Sequence, residues 1–189
     1  MKFAIMAGHD DREPGNMANG LREADLMLEL RHIVALKLRQ LGHEVVEDGQ
    51  RGVNKPLSDA LRVAAGVELA VELHTNASDS PAAQGVEIVA PAKRRPLAQK
   101  MAQRIAEIIK SPTRRSLGWY SPEQHRIDRG WKNPAAMVRA GGMIVEVFFQ
   151  SNPRELANYR AKYWLVADAI ATCLHEESLA KASPPSSPL

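Results

Sequence analysis

Four residues of this 189-residue chain are of types that together could hold a metal ion and move protons: His9, Glu23, His74 and Glu146. His9 stands just beyond the apolar run Phe3 to Ala7, and His74 just beyond Leu69 to Leu73. Glu146 lies inside Gly142-Met143-Ile144-Val145-Glu146-Val147-Phe148-Phe149, and Glu23 opens the first long helical segment. In open α/β sheets, sites assemble at the carboxyl ends of the strands, where both histidines fall. Two histidines and one carboxylate can bind zinc while leaving a fourth position for water, the pattern of a catalytic ion rather than a structural one. A second carboxylate would remain free to handle protons. Each residue also has a plainer role open to it: a single histidine beside a strand is more often structural, and a glutamate at a helix start complements the helix dipole. Glu146 is the hardest to explain that way. A carboxylate in an otherwise apolar strand is costly to bury unless a partner satisfies it.

The elements that would position these groups follow from the apolar pattern. The strand at Phe3 to Ala7 leads into a loop rich in Gly, Asp and Pro. Leu26, Leu30, Ile33, Val34, Leu38 and Leu41 then mark a helix, stopped by Gly42. A short strand near Glu44 to Val46, a helix from Leu57 to about Ala65 and the strand Leu69 to Leu73 complete a β-α-β-α-β order, which predicts a parallel sheet with covering helices. Val86 to Val89 reads as a strand, Leu97, Met101, Ile105 and Ile108 as a helix, and Met143 to Val147 as the last strand. Pro153 opens a final helix reaching at least Leu174. The expected fold is therefore a single α/β domain over residues 1–176, with a mostly parallel central sheet flanked by helices and the site at the strand ends. Residues 177–189, with Pro184, Pro185 and Pro188, are expected to form a disordered tail.

Composition narrows the field. A chain of this length with 44% hydrophobic residues supports one core. The net charge of +3 is dispersed, without the basic stripe or reading module of a nucleic-acid binder, and fits a polyanionic surface as a partner. Cys173 is alone, so no internal disulfide is expected. The short apolar start meets Gly8 before an export signal or membrane span could form, so neither signal peptide nor membrane insertion is expected. From about Ser111 to Lys132 no period is visible, and a long loop is predicted. It carries Trp119, Tyr120 and Trp131 with Arg114, Arg115, Arg126, Arg129 and Lys132. Aromatic faces stack on sugars and arginines pair with carboxylates, so this stretch is a candidate substrate contact, against the plainer reading of a solvated loop. The remaining histidines, His32, His43, His125 and His175, are assigned to surface or packing roles.

The motifs resemble those of the zinc-dependent N-acetylmuramoyl-L-alanine amidases of cell-wall remodelling and phage lysis, of the amidase-3 type. The resemblance covers about Lys2 to Leu174. It rests on Gly8-His9 with Pro14-Gly15, on Glu23 nineteen residues before Gly42, and on Leu73-His74-Thr75-Asn76-Ala77 followed by Gly85-Val86-Glu87. Val145-Glu146-Val147 leading to Phe149 and Asn152-Pro153 completes it. It implies that His9, Glu23 and His74 hold one Zn2+, that Glu146 is the catalytic acid/base, and that Asn76 lies near the metal. Arg129 and Trp131 become candidates for binding the substrate, peptidoglycan. The activity implied is hydrolysis of the amide between N-acetylmuramic acid and L-alanine. The small size looks like a phage endolysin, a monomer held in the host cytoplasm until lysis admits it to the wall.

Three departures from the family pattern stand out. Asp10-Asp11 replaces a glycine pair after the first histidine, Glu72 stands where serine is frequent, and Phe148 takes a position usually held by glycine, with the expectation that it narrows the pocket or moves the strand end. Glu29 competes with Glu23 as ligand from deeper in the same helix; the spacing to Gly42 and the position at the helix start favour Glu23. Two other functions stay open on these residues: a zinc carboxypeptidase or other amidohydrolase, and a peptidoglycan-binding module without catalysis.

Overall fold

The computed structural model describes residues 1–49 and 52–182. Its strands are β1 (Lys2–Ala7), β2 (Met17–Ala18), β3 (Leu21–Arg22), β4 (Glu44–Glu47), β5 (Leu69–Asn76), β6 (Glu87–Val89), β7 (Trp119–Tyr120) and β8 (Met143–Phe149). Its α-helices are α1 (Glu23–Gln40), α2 (Leu57–Ala64), α3 (Arg95–Ile109), α4 (Pro122–Asp128), α5 (Ala136–Arg139) and α6 (Pro153–Ala182). The main sheet runs in the order β4-β1-β5-β8-β6-β7, and β2 with β3 forms a separate hairpin. Pairings among β4, β1, β5 and β8 are parallel, whereas β6 runs antiparallel to β8 and parallel to β7.

Both faces of the sheet are covered, which is why β1 and β8 read as nearly continuous apolar runs. Odd-numbered residues of β1 and β5, such as Phe3, Ile5, Val71 and Leu73, pack with α1, α3 and α6 in the larger core. Even-numbered Ala4, Met6, Ala70 and Ile144 face a smaller cluster with Ala60, Ala64, Met137 and Val138 of α2 and α5. That second covering layer is short, so the strand ends on this side open into a cleft.

Local chemistry sets the element ends. Gly42, at φ +83°, takes the left-handed conformation beyond α1. Asn152 caps α6, its Oδ1 accepting the N–H groups of Arg154 and Glu155, and Pro153 fits the first helical position. The helix continues through Ala182, so residues 177–182 belong to it rather than to the expected tail. Pro184, Pro185 and Pro188 lie outside the described residues. The long loop predicted from Ser111 to Lys132 contains β7 and α4. Two residues of strand and seven of helix are too short to display a period in the sequence.

Phe148 does not narrow the cleft. His74 pairs with Glu146 and Asn76 with Phe149, so Val147 and Phe148 together oppose Thr75 in a β-bulge. Both bulged residues enter the larger core, and the Phe148 ring stacks on Tyr159 at 4.5 Å between centroids.

Candidate metal centre and its cleft

His9, Glu23 and His74 converge, each offering one ligand atom within 4.8 Å of the others. β1 delivers His9 through a strained turn: its φ is +68°, a left-handed conformation uncommon for a residue bearing a side chain. Glu23 reaches the site from the first residue of α1 and is 1% exposed. Its Oε1 lies 3.1 Å from His74 Nδ1 and its Oε2 3.4 Å from His9 Nε2. Backbone donors fix the carboxylate further, Thr75 N–H at 2.8 Å and Asn16 N–H at 2.9 Å. Glu29 is exposed on α1 and is not part of the group.

Two glycines make room for this packing. A Cβ on Gly8 would fall within the His74 ring, and one on Gly15 would lie 2.5 Å from His9 Cδ2 and 2.6 Å from Glu23 Oε2. Gly15 also holds φ +71°, so it is required both by space and by conformation.

The electrostatics are those of acids and bases forced together. Burial raises the Glu23 carboxyl, but the His74 hydrogen bond and the charges of His74 and His9 outweigh it and hold it below its usual range. Burial lowers the His74 imidazole, yet the hydrogen bonds it donates to Glu23 and Glu72 carry it well above normal. Glu72 accounts for one side of this ring, its Oε2 lying 3.4 Å from Nε2. Glu146, 7% exposed, is pushed up to about 7 by burial, with His74 opposing and Glu23 reinforcing the shift. Its Oε2 is buried without a hydrogen-bond partner among the described residues. Two imidazoles and a carboxylate at this spacing, with an unsatisfied carboxylate beside them, fit a divalent cation.

The surrounding cleft has two parts. One, of about 280 Å³, is lined by His9, Glu23, His74, Asn76, His125, Arg129, Trp131 and Glu146. The other, of about 300 Å³ and more apolar, shares His9, His74, Trp131 and Ile144 and extends to Leu57, Ala60, Glu72 and Met137. Asn76, Arg129 and Trp131 are thus brought to the same cleft as the four principal residues. Asn76 donates to Glu87 Oε1 at 2.8 Å. Asp10 closes the turn after His9 by accepting the N–H groups of Arg12 and Glu13 at 2.7 and 3.0 Å, which lowers its pKa.

Several contributors were not singled out from the sequence. Glu87 is buried opposite Glu146 on β6 and pairs with Arg114 at 2.9 Å and Arg115 at 3.4 Å. The rule that drew attention to Glu146, an acid in an apolar strand, applies equally to Glu87 in Val86-Glu87-Ile88-Val89. Gln150 is fully buried and ties Thr75 Oγ1 to the carbonyl of Leu21. His125, assigned to surface or packing, does pack edge-on against Tyr120 and Trp131, but it also lines the cleft.

Comparison with known proteins bears on the fold and the family. Residues 4–176 match the family model described as N-acetylmuramoyl-L-alanine amidase. The chain is 25% identical over 191 residues to autolysin PH, designated a probable autolysin, of Staphylococcus aureus, an alignment that takes in 92% of this chain and 38% of the relative. It therefore spans well under half the length of that relative. A Neisseria meningitidis structure provisionally assigned as an N-acetylmuramoyl-L-alanine amidase superposes with a TM-score of 0.81 at 30% identity, over 94% of this chain and 95% of that one. The amidase AmiC2 of Nostoc punctiforme superposes with a TM-score of 0.76 at 21% identity, over 95% and 97% of the two chains, and shares the fold. On the strength of the family match across nearly the whole domain, this chain belongs to the N-acetylmuramoyl-L-alanine amidase family.

Proposed function

We propose that the protein hydrolyses the amide between N-acetylmuramic acid and L-alanine in peptidoglycan, with one Zn2+ held by His9, Glu23 and His74. The observation that carries this reading is the convergence of those three side chains beside a buried carboxylate, Glu146, that has no protein partner for Oε2. A bound divalent ion supplies Lewis-acid polarisation of the carbonyl and acidifies water. The chain's residues supply the proton handling. Glu146 takes a proton from the attacking water and returns it to the departing alanine nitrogen. Burial supports that double role, because a carboxyl near neutrality can both accept and donate. The N–H groups of Thr75 and Asn16 pin the Glu23 carboxylate beside the two imidazoles, and Glu72 steadies the far nitrogen of His74. Asn76, Arg129 and Trp131 contact the substrate or support residues that do. No helix among the described residues is long and apolar enough to cross a membrane.

Product analysis tests the bond assignment. Digestion of purified peptidoglycan should expose new alanine amino termini. Release of free amino acids would instead indicate a carboxypeptidase, and wall binding without solubilisation a binding module. A phage-lysis role for this monomeric domain further predicts that its expression is harmless until a separate pore-forming protein opens the membrane, with rapid lysis afterwards. Lysis without the pore former would contradict that part of the reading.

A further inference from the structure

We infer that the cleft wall formed by α4 is a carboxylate-binding subsite for the stem peptide, centred on Arg129 and His125. The inference rests on the amidase reading and adds to it the direction in which substrate lies and a chemical preference. His125 and Arg129 are four residues apart, at the end of α4, and both line the cavity that contains Glu146. Arg129 also lines an adjoining groove with Arg114, Arg115, Glu87 and Asp128, so it joins the metal centre to an arginine-rich channel.

The charges in that channel are unequal. Arg114 is matched by Glu87, and Arg115 is shared between Glu87 and Asp128. Arg129 makes no side-chain hydrogen bond or ion pair among the described residues; its charge acts at longer range on Glu146 and His125, so of the three guanidinium groups in the channel it is the one without a bonded carboxylate. His125 provides the second observation: it is 4% exposed, and its Nδ1 is buried without a partner. A buried polar nitrogen with nothing to bond is disfavoured unless a ligand completes it. A guanidinium beside it suits a planar anion, which it can grip through two parallel N–H donors.

The scissile amide leads on its alanine side into the stem peptide, whose next residue, a glutamate joined through its side chain, keeps a free α-carboxylate unless it is amidated. That group is the first free anion beyond the reacting bond, and Arg129 is the guanidinium that lines the same cavity as Glu146. The stem therefore runs toward α4 and the arginine channel, and the apolar cavity beside Leu57, Ala60 and Met137 takes the muramoyl side.

The test compares two synthetic muramoyl peptides, identical except that the second stem residue carries a free α-carboxylate or a carboxamide. Zinc-loaded wild type should favour the carboxylate by about tenfold or more in kcat/KM, mainly through KM, the range expected of a charge-assisted pair. Arg129→Gln should erase the preference, and Arg129→Lys should restore part of it. Equal use of both peptides by wild type, or a preference that survives in Arg129→Gln, would overturn the subsite while leaving the amidase reading intact. Hydrolysis of neither peptide by folded, zinc-loaded protein would remove the amidase reading, and the subsite with it.

Discussion

Glu87 on β6 stands directly opposite Glu146 on β8, yet the two carboxylates are treated differently. Glu87 is satisfied by Asn76, Arg114 and Arg115, whereas Glu146, which lines the cavity with His9, Glu23 and His74, keeps a buried Oε2 without a partner among the described residues. One acid fixes the architecture, and the other is the proposed acid/base. Substitutions should separate these roles. Glu146→Gln is expected to retain zinc, measured as bound metal per chain, and to lose about 10²- to 10⁴-fold in turnover. Glu87→Ala should instead lower the unfolding free energy measured by urea denaturation, by roughly 1–3 kcal/mol, because Asn76 and two arginines lose their acceptor. Full turnover in Glu146→Gln would remove it as the acid/base.

Gly8→Ala tests the packing of the centre without touching a ligand. Its new Cβ would overlap the His74 ring, so His74 must move. The variant should fold and bind zinc much more weakly, by about tenfold or more, the range seen when a ligand's support is disturbed. Zinc affinity equal to wild type would show that His74 is not a ligand.

His125 gives a pH dependence. Burial, reinforced by the Arg129 charge, lowers its pKa from 6.5 to about 4. The unfolded chain therefore takes up a proton near pH 6.5 that the folded chain refuses until near pH 4. The stability associated with the neutral ring is complete above about 6.5 and is lost as pH falls from there toward 4. For metal-free protein, the fall between pH 7 and pH 5 should be roughly 2 kcal/mol from this residue alone. Chemical denaturation at the two pH values should show that difference in wild type and much less of it in His125→Phe, which keeps the aromatic contacts. Identical slopes would contradict it.

The parts of the fold legible in the sequence were those written in repeated apolar positions. β1, β5 and β8 read as buried runs because both sheet faces are covered, and α1, α3 and α6 are long enough to show a helical period. α4 and α5 were not legible from apolar periodicity, since seven and four residues do not complete a pattern; the local signal at α4 is its cap, Ser121 accepting the Gln124 N–H ahead of Pro122. The antiparallel direction of β6 and the bulge at Val147 and Phe148 likewise depend on tertiary pairing. At the site, His9, Glu23, His74 and Glu146 could be found by residue type and place. Asn16 and Gln150 could not, because their side chains act through hydrogen bonds to distant backbone carbonyls, those of Thr75 and Leu21.

The activity proposed for this cleft is zinc-dependent cleavage of the muramoyl-alanine bond. Its most direct test is the release of alanine amino termini from purified peptidoglycan before chelation, after chelation and after zinc is restored. Wild type should show release that the chelator abolishes and zinc recovers, with no recovery in His74→Ala. Release unaffected by complete metal removal, or no release by folded and zinc-loaded protein, would contradict it.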